Sequence, residues 1–323
     1  MMRLAALSMC FAMYLPFCAQ APDPIVTPSL QLSGLWEPPA DVAERDLYFG
    51  PWGAVHAPDP FEVYTVVEHK HSGVNPGMTV IDSAGRQWSV KQAPPSGHAA
   101  EGPIEIVLSR VLSAIGYHQP PVYFMPSFTY RDSWGSHVEP GGRFRLKTPQ
   151  LKDRGEWSWQ RNPFVGTQPY QGLLVTLLLF NSSDLKNANN TRYEHRAGDL
   201  AEPWYVVRDL GTALGETGRW APRRGDGARY AADPFIAGVS NGVVEFTYRG
   251  WHQELVRDRI RVADVRWAAA LLSQLTDRQW RDAFLAAGYT PASAEPFIAA
   301  IRSRIAQAGR VAAAGAIDAG RQP

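Results

Sequence analysis

The chain has 323 residues, of which 45% are hydrophobic and 20% charged, with 32 Lys+Arg against 31 Asp+Glu. This composition excludes a disordered chain. A net charge of +1 excludes a broad nucleic-acid surface, which needs a basic excess, but leaves room for a local anion site. The length allows one large domain or two lobes.

The N-terminus reads Met-Met-Arg, then an apolar run from Leu4 to Cys18, then Ala19-Gln20-Ala21. A positive charge, a short apolar stretch and a small-x-small end describe a secretory signal peptide over residues 1–21, and hence an exported protein. The run is short for a bilayer, which takes about 20 apolar residues, and no later stretch qualifies as a transmembrane helix. Leu15-Pro16-Phe17-Cys18 has the outline of a lipoprotein box, so a lipid anchor on Cys18 is one version of export. If the leader is not real, the protein is cytoplasmic. Both cysteines, Cys10 and Cys18, lie in this segment, so a processed chain would have no disulfide.

Residues 22–60, rich in Pro, Asp and aromatics, read as an extended wrapping segment. From Glu62 the pattern changes. Residues 63–67, 78–81 and 87–91 are β-branched and aromatic, with a turn-rich loop at 71–77 and a hairpin turn at 82–85, so they predict an antiparallel meander. A helix follows, with Pro103 near its start. Ile104, Val107, Leu108, Val111, Leu112 and Ile115 form one apolar stripe, and Gly116 ends it. Residues 122–125 and 143–146 are further strands. The second half is mainly helical. Residues 171–180 are almost wholly apolar and predict a buried helix. A polar knot at 181–191 follows, then a strand at 204–208 and helices near 262–275, 277–287 and 294–306. The tail after Gln307 is expected to fray.

The polar knot carries the chemistry. Phosphoryl transfer requires a cation on the donor phosphates, a second charge to orient that cation, a carboxylate beside the incoming hydroxyl, and hard oxygen ligands for a metal. Asp184-Leu185-Lys186-Asn187-Ala188-Asn189-Asn190 supplies a carboxylate, a lysine and amide oxygens on one loop. The strand after it ends in Asp209-Leu210-Gly211, an acid followed by a flexible residue. Lys91 closes a strand, and Glu105 lies on the next helix, with Glu101 one turn earlier as a competing partner. A polar loop that caps the end of a helix would use similar residues, so the order of the surrounding elements decides between the two readings.

With that order in view, the sequence resembles the protein-kinase-like superfamily. Asp184-Leu185-Lys186-x-x-Asn189 is similar to its catalytic loop, and Asp209-Leu210-Gly211 to its metal-binding Asp-Phe-Gly. Val90-Lys91 is similar to the end of its third strand, and Glu105 to the glutamate on the following helix. The form is nearest the atypical branches: HipA-like, Golgi secretory-kinase-like and spore-coat kinases. Ser182-Ser183 stand in place of the usual His-Arg, no Ala-Pro-Glu appears, and the glycine loop is reduced to Gly73-x-x-x-Gly77. The stretch around 193–203 is an insertion.

The resemblance implies an α+β, bilobal fold. A small antiparallel sheet lobe with one helix (61–148) would pair with a larger, mainly helical lobe (149–310), followed by a frayed tail (311–323). It implies an ATP-dependent kinase with Mg²⁺ or Mn²⁺, acting on an unidentified hydroxyl of a protein, lipid or sugar. Asp184 and Lys186 would be catalytic. Lys91, Glu105, Gly73 and Gly77 would hold the nucleotide, and Asn189 and Asp209 the metal. The rival is an inactive pseudokinase scaffold, motivated by the scarcity of ATP outside a bacterial cytoplasm.

Other features have plainer readings. His69 and His71 suit a partly exposed polar face better than a metal site. Trp157, Trp159 and Trp251 line a groove or pack half-buried. Arg219, Arg223 and Arg224 attract an acidic substrate or keep a loop solvated. The two glycosylation patterns, at Asn181 and Asn189, are read as chance.

Overall fold

Alternating side chains build the first sheet. In the computed structural model, β1 (Val63–Lys70), β2 (Gly77–Ile81) and β3 (Gln87–Gln92) form the expected meander. The structure describes residues 32–70, 75–92, 101–218 and 224–319, with 312–319 as backbone only. The leader with both cysteines, Gly73, His71, Arg219 and Arg223 lie outside the described residues.

Helix α1 (Glu101–Ala114) follows, then β4 (Val122–Met125), β5 (Phe128–Asp132), β6 (Gly135–Glu139) and β7 (Gly142–Lys147). The seven strands form one sheet in the order β4-β7-β3-β2-β1-β5-β6. Period-two alternation gives this sheet two unlike faces. Tyr64, Met78, Val80, Trp88, Val90, Tyr123, Phe144 and Leu146 lie on one face in a compact apolar cluster, with Phe128 and Tyr130 of the β5–β6 hairpin packed into it. The opposite face carries polar and charged side chains, and α1 packs against its β4–β7 end.

The remaining elements are β8 (Leu151–Asp153), α2 (Gln168–Leu179), β9 (Asn190–Ala197), β10 (Leu200–Val207), α3 (Gly227–Ala232), β11 (Ile236–Ser240), β12 (Val243–Phe246), α4 (Val262–Leu272), α5 (Asp277–Ala286) and α6 (Pro291–Ala319). The apolar stretch predicted as a buried helix is α2, and Thr167 caps it through Tyr170 N. It runs through the centre of a large core shared with α1, α4, α5 and α6. Bilobal α+β architecture is therefore observed, with a sheet lobe and a mainly helical lobe. The expected insertion is the β9–β10 hairpin, which begins earlier than the strand predicted at 204–208. Among the described residues no helix is long and apolar enough to cross a membrane.

Residues 32–60 wrap the back of the molecule. Leu35, Val42 and Leu47 are buried in the large core. Trp36 Nε1 donates to Ile115 O at 2.8 Å, and the buried Gln279 side chain donates to Val42 O and Arg45 O at 2.7 and 2.8 Å. The strap thus ties the end of α1 to α5, which fixes the helix that bears Glu105.

Candidate active site

The cleft is assembled from both lobes. The register places Lys70, Gly77, Lys91 and Arg143 in one row across β1, β2, β3 and β7. Residues in one cross-strand row project to the same face, so Lys91 projects from the polar face. Its Nζ lies 3.3 Å from Glu105 Oε2 and 3.3 Å from Glu101 Oε2, and it contacts Asp209 Oδ1. Both helix glutamates weighed as partners of Lys91 therefore reach it. Glu105 is the deeper of the two and also meets a cation the sequence did not single out: Arg143 Nε is 3.2 Å from Glu105 Oε1. Burial alone would raise the Glu105 pKa, but Arg143, Lys91 and Arg145 outweigh it and hold the carboxyl down at about 2. Glu101 takes Arg224 instead, which ties the segment after Asp209 to α1. Gly77 opens β2, where a Cβ would lie 2.9 Å from Val90 O. That spacing admits only glycine without a shift of the strands.

In the helical lobe the chain leaves α2 and runs beside the segment that follows β10. Leu214 N donates to Phe180 O (2.9 Å), Ser183 N to Thr212 O (3.2 Å) and Arg208 N to Asn189 O (2.8 Å). These bonds set the Asp184 loop alongside Asp209. Asp184 faces Lys186, with Oδ1 and Nζ 2.9 Å apart, and Asn189 Nδ2 donates back to Asp184 O at 2.7 Å. That bond engages the amide nitrogen of Asn189 and leaves its amide oxygen as an acceptor. Asn190 is wholly buried and donates to Trp157 O at 3.2 Å. Lys186 Nζ also sits 4.8 Å above the Trp251 ring.

Asp209 has φ 54°, in the left-handed region that Asp tolerates better than most residues. Leu210 is buried in the large core. Gly211 lies against α1: a Cβ there would come within 2.4 Å of Glu101 Cβ and 2.8 Å of Glu101 O. The third residue of the motif thus allows a close approach between lobes.

A clamp that the sequence did not reveal holds the loop where Ser183 replaces the usual arginine. Ser183 O accepts from Trp251 N at 2.9 Å and lies 3.1 Å from Tyr248 OH, whose one proton is shared with Trp251 O at 2.8 Å. Burial, then the nearby Asp184 and Glu254, raise the Tyr248 pKa, so the hydroxyl stays a donor. Behind it, Arg304 reaches Asn181 Oδ1 (2.6 Å), Leu179 O and Tyr230 O (2.8 Å each) and Asp233 O (2.7 Å). Asn181 donates in turn to Gly215 O and Asp233 Oδ2. Asn181 is buried in this network, which agrees with reading its glycosylation pattern as chance.

Sheet, ion-paired helix, apolar helix, polar loop, strand and Asp-Leu-Gly follow in one chain, and Lys91 meets Asp209 across two lobes. This order of elements is the one that the resemblance to the protein-kinase-like superfamily implies. No protein-family model matches the chain, and no curated protein matches it. Similar solved structures include the proinflammatory kinase CtkA of Helicobacter pylori, at 12% identity over 81% of this chain and 98% of that one, TM-score 0.41. The Golgi casein kinase is similar at 9% identity over 80% of this chain and 72% of that one, TM-score 0.40, and is also solved with Mn/ADP bound. The Rio2 kinase–ADP/Mg²⁺–phosphoaspartate complex from Chaetomium thermophilum is similar at 13% identity over 75% and 71%, TM-score 0.35.

Three other sequence features resolve in the structure. Trp157 and Trp159 are buried in the large core, so they pack rather than line a groove, whereas Trp251 stands at the loop. His69 faces Asp132 at 3.8 Å. Arg224 is engaged with Glu101, while Arg219 and Arg223 are outside the described residues. Carboxylate and amide oxygens from Asp209 and Asn189 are hard ligands. They suit Mg²⁺ or Mn²⁺, which take one or two protein oxygens and complete the shell with phosphate and water. Asp209 is half exposed and its partner is the flexible Lys91, so its carboxylate is open to exchange a lysine for a metal ion.

Proposed function

We propose that the protein is a phosphotransferase that moves the γ-phosphoryl group of ATP to a hydroxyl on a protein, lipid or sugar. The observation that carries this reading is the contact of Lys91 with both Glu105 and Asp209, beside a loop that presents Asp184. Phosphoryl transfer asks for positioning and charge rather than covalent chemistry from the protein. Lys91, oriented by Glu105, holds donor phosphates. Asp184 accepts the proton of the acceptor hydroxyl as its oxygen bonds to the γ-phosphorus, and ADP leaves as the bridging P–O bond breaks. Lys186 neutralises charge on the moving group, and Trp251 beneath it limits where the ammonium can go. Asp209 and Asn189 would hold Mg²⁺ or Mn²⁺, which would neutralise phosphate charge. Gly73 and Gly77 flank the loop that would cover the phosphates. Export through residues 1–21 is part of the same proposal.

The test is transfer of labelled γ-phosphate, with Asp184→Ala as control. Transfer by the wild type that drops by about 100-fold or more in the variant is expected. Equal labelling by both proteins removes Asp184 from the mechanism. A thermal scan separates activity from binding. Mg-ATP at about 100 times its dissociation constant should stabilise the wild type by about 2.7 kcal/mol, and Asp209→Ala should lose the shift. A shift without transfer favours the pseudokinase scaffold.

A further inference from the structure

The polar face of the sheet does not end at Lys91. Beside the row Lys70–Gly77–Lys91–Arg143 lies the row Glu68–Thr79–Ser89–Arg145, and beyond it Ile81–Gln87–Lys147. Successive rows on one face are two residues apart, about 7 Å, so these rows extend about 13 Å beyond Lys91. That is where a donor bound by its phosphates at Lys91 and running along the cleft would lay its non-transferred end. An adenine there needs apolar surface on its flat faces. The ceiling offers Glu68, Thr79, Ser89, Arg145, Gln87 and Lys147 with Ile81, while the apolar β4 residues of these rows, Val122 and Phe124, are buried in or packed against the large core. The aromatic residues Trp88, Tyr123 and Phe144 belong to the opposite face of the sheet.

The charges of this ceiling are under-compensated. Lys91 is met by Glu105, Glu101 and Asp209, and Arg143 by Glu105, so the deficit lies in the rows beyond them. Arg145 makes no ion pair or hydrogen bond through its side chain among the described residues. Lys70 and Lys147 reach only hydroxyls there: Lys70 Nζ to Ser89 Oγ at 2.9 Å, and Lys147 Nζ to Thr79 Oγ1 at 3.3 Å. Desolvation, then Arg145, Arg143, Lys147 and Lys91, depress the Lys70 pKa to about 8. Burial and Arg143 lower that of Arg145 to about 10, with Tyr193 and Arg208 also close enough to act on it. Arg208 stands over the Tyr193 ring, 5.9 Å from its centroid, so that ring too is covered by a cation. Among the described residues Lys70, Arg145 and Lys147 thus have no carboxylate in ion-pair contact, whereas Lys91 and Arg143 do, and Glu68 is the acid that shares the Arg145 row.

We propose that the cleft takes a phosphate chain along its whole length, so that the donor class it is built for is a linear inorganic polyphosphate, with Arg145 and Lys147 holding the phosphates beyond those at Lys91. The inference rests on the phosphotransferase reading and replaces only the nucleoside end of the donor. The transfer balances as before. The acceptor oxygen bonds to the terminal phosphorus, the terminal P–O–P bridge breaks, Asp184 takes the hydroxyl proton, and a chain shorter by one phosphate leaves. Charge-assisted contacts to guanidinium and ammonium groups are the interactions that favour such a ligand over a neutral base.

Calorimetric titration of the full chain with Mg²⁺ and four probes tests this: ATP, tripolyphosphate, a short-chain polyphosphate and adenosine. Tripolyphosphate is expected to bind within about threefold of ATP. Short-chain polyphosphate should bind at least about tenfold more tightly than tripolyphosphate, and adenosine should not compete. In Arg145→Met/Lys147→Met the polyphosphate advantage should fall to about twofold, and Arg145→Lys, which keeps the charge, should retain part of it. A thermal scan confirms that each variant is folded. If ATP binds about tenfold more tightly than tripolyphosphate and adenosine competes, the cleft reads a purine. The inference then fails while the phosphotransferase reading stands. An advantage that survives in the double variant also overturns it, because the chain then binds elsewhere. If no phosphate compound binds, the inference fails, and transfer from labelled ATP judges the broader reading separately.

Discussion

Lys91, Glu105 and Arg143 meet through charge, whereas the backbone on either side of Asp184 is held at Ser183 O and Asn189 O by hydrogen bonds from Tyr248, Trp251 and the Arg208 amide, and Asp184–Lys186 is that loop's one ion pair among the described residues. The upper half of the site is an ion cluster on a polar sheet face. The lower half is a loop clamped by donors whose protonation does not change near neutrality. One half therefore answers to pH and the other to packing and hydrogen bonding. The difference teaches that affinity for phosphates and placement of the acceptor acid can be damaged separately.

The largest effect is expected on the neutral side. Arg304→Met removes donors from Leu179 O, Tyr230 O, Asp233 O and Asn181 Oδ1, leaving buried acceptors unsatisfied. At about 1–3 kcal/mol for each group that stays orphaned, a loss of at least about 3 kcal/mol is expected in urea denaturation. A loss below about 1 kcal/mol would show that the network does not hold the loop.

The charged side gives the next effect, and its sign is fixed by Glu105. Its pKa is depressed from an ordinary 4.5 to about 2 in the folded chain. Its stabilising contribution is therefore fully present above about 4.5 and is lost as pH falls towards about 2, a difference of about 3 kcal/mol. Glu105→Gln should destabilise the protein near neutrality by a comparable amount and flatten the acid limb of stability against pH in that window. An unchanged limb would mean that other carboxylates govern it.

The smallest effect sharpens the boundary between the halves. Trp251→Ala removes the ring under Lys186, a contact worth about 0.5–1 kcal/mol when partly exposed. The expected result is a reduced transfer rate with donor affinity unchanged. A change in donor affinity instead would place Lys186 on the donor rather than on the moving group.

Much of the frame was readable because it depends on local periods. Alternation marks β1 to β3, the stripe from Ile104 to Ile115 marks α1, and the unbroken apolar run marks α2. The β5–β6 hairpin is not expected from the sequence because each strand is five residues long and Gly135-Ser136-His137-Val138-Glu139 has a single β-branched residue. Lys91 and Asp209 are far apart in sequence, and only the order of motifs suggested that they meet. Arg143 was recognised as part of a strand but not as the second cation on Glu105, because that depends on the β3–β7 register. Tyr248 and Arg304 left no signal, since their partners lie 65 and 123 residues away and neither belongs to a spaced motif.

Gly211 lies flush against the start of α1, and Arg224 grips Glu101 from the same side. With no gap between them, the helix has no space to swing as a separate lever. Closure of the two lobes is therefore stopped at this contact, and a bulkier residue at 211 would act as a wedge that props the molecule ajar.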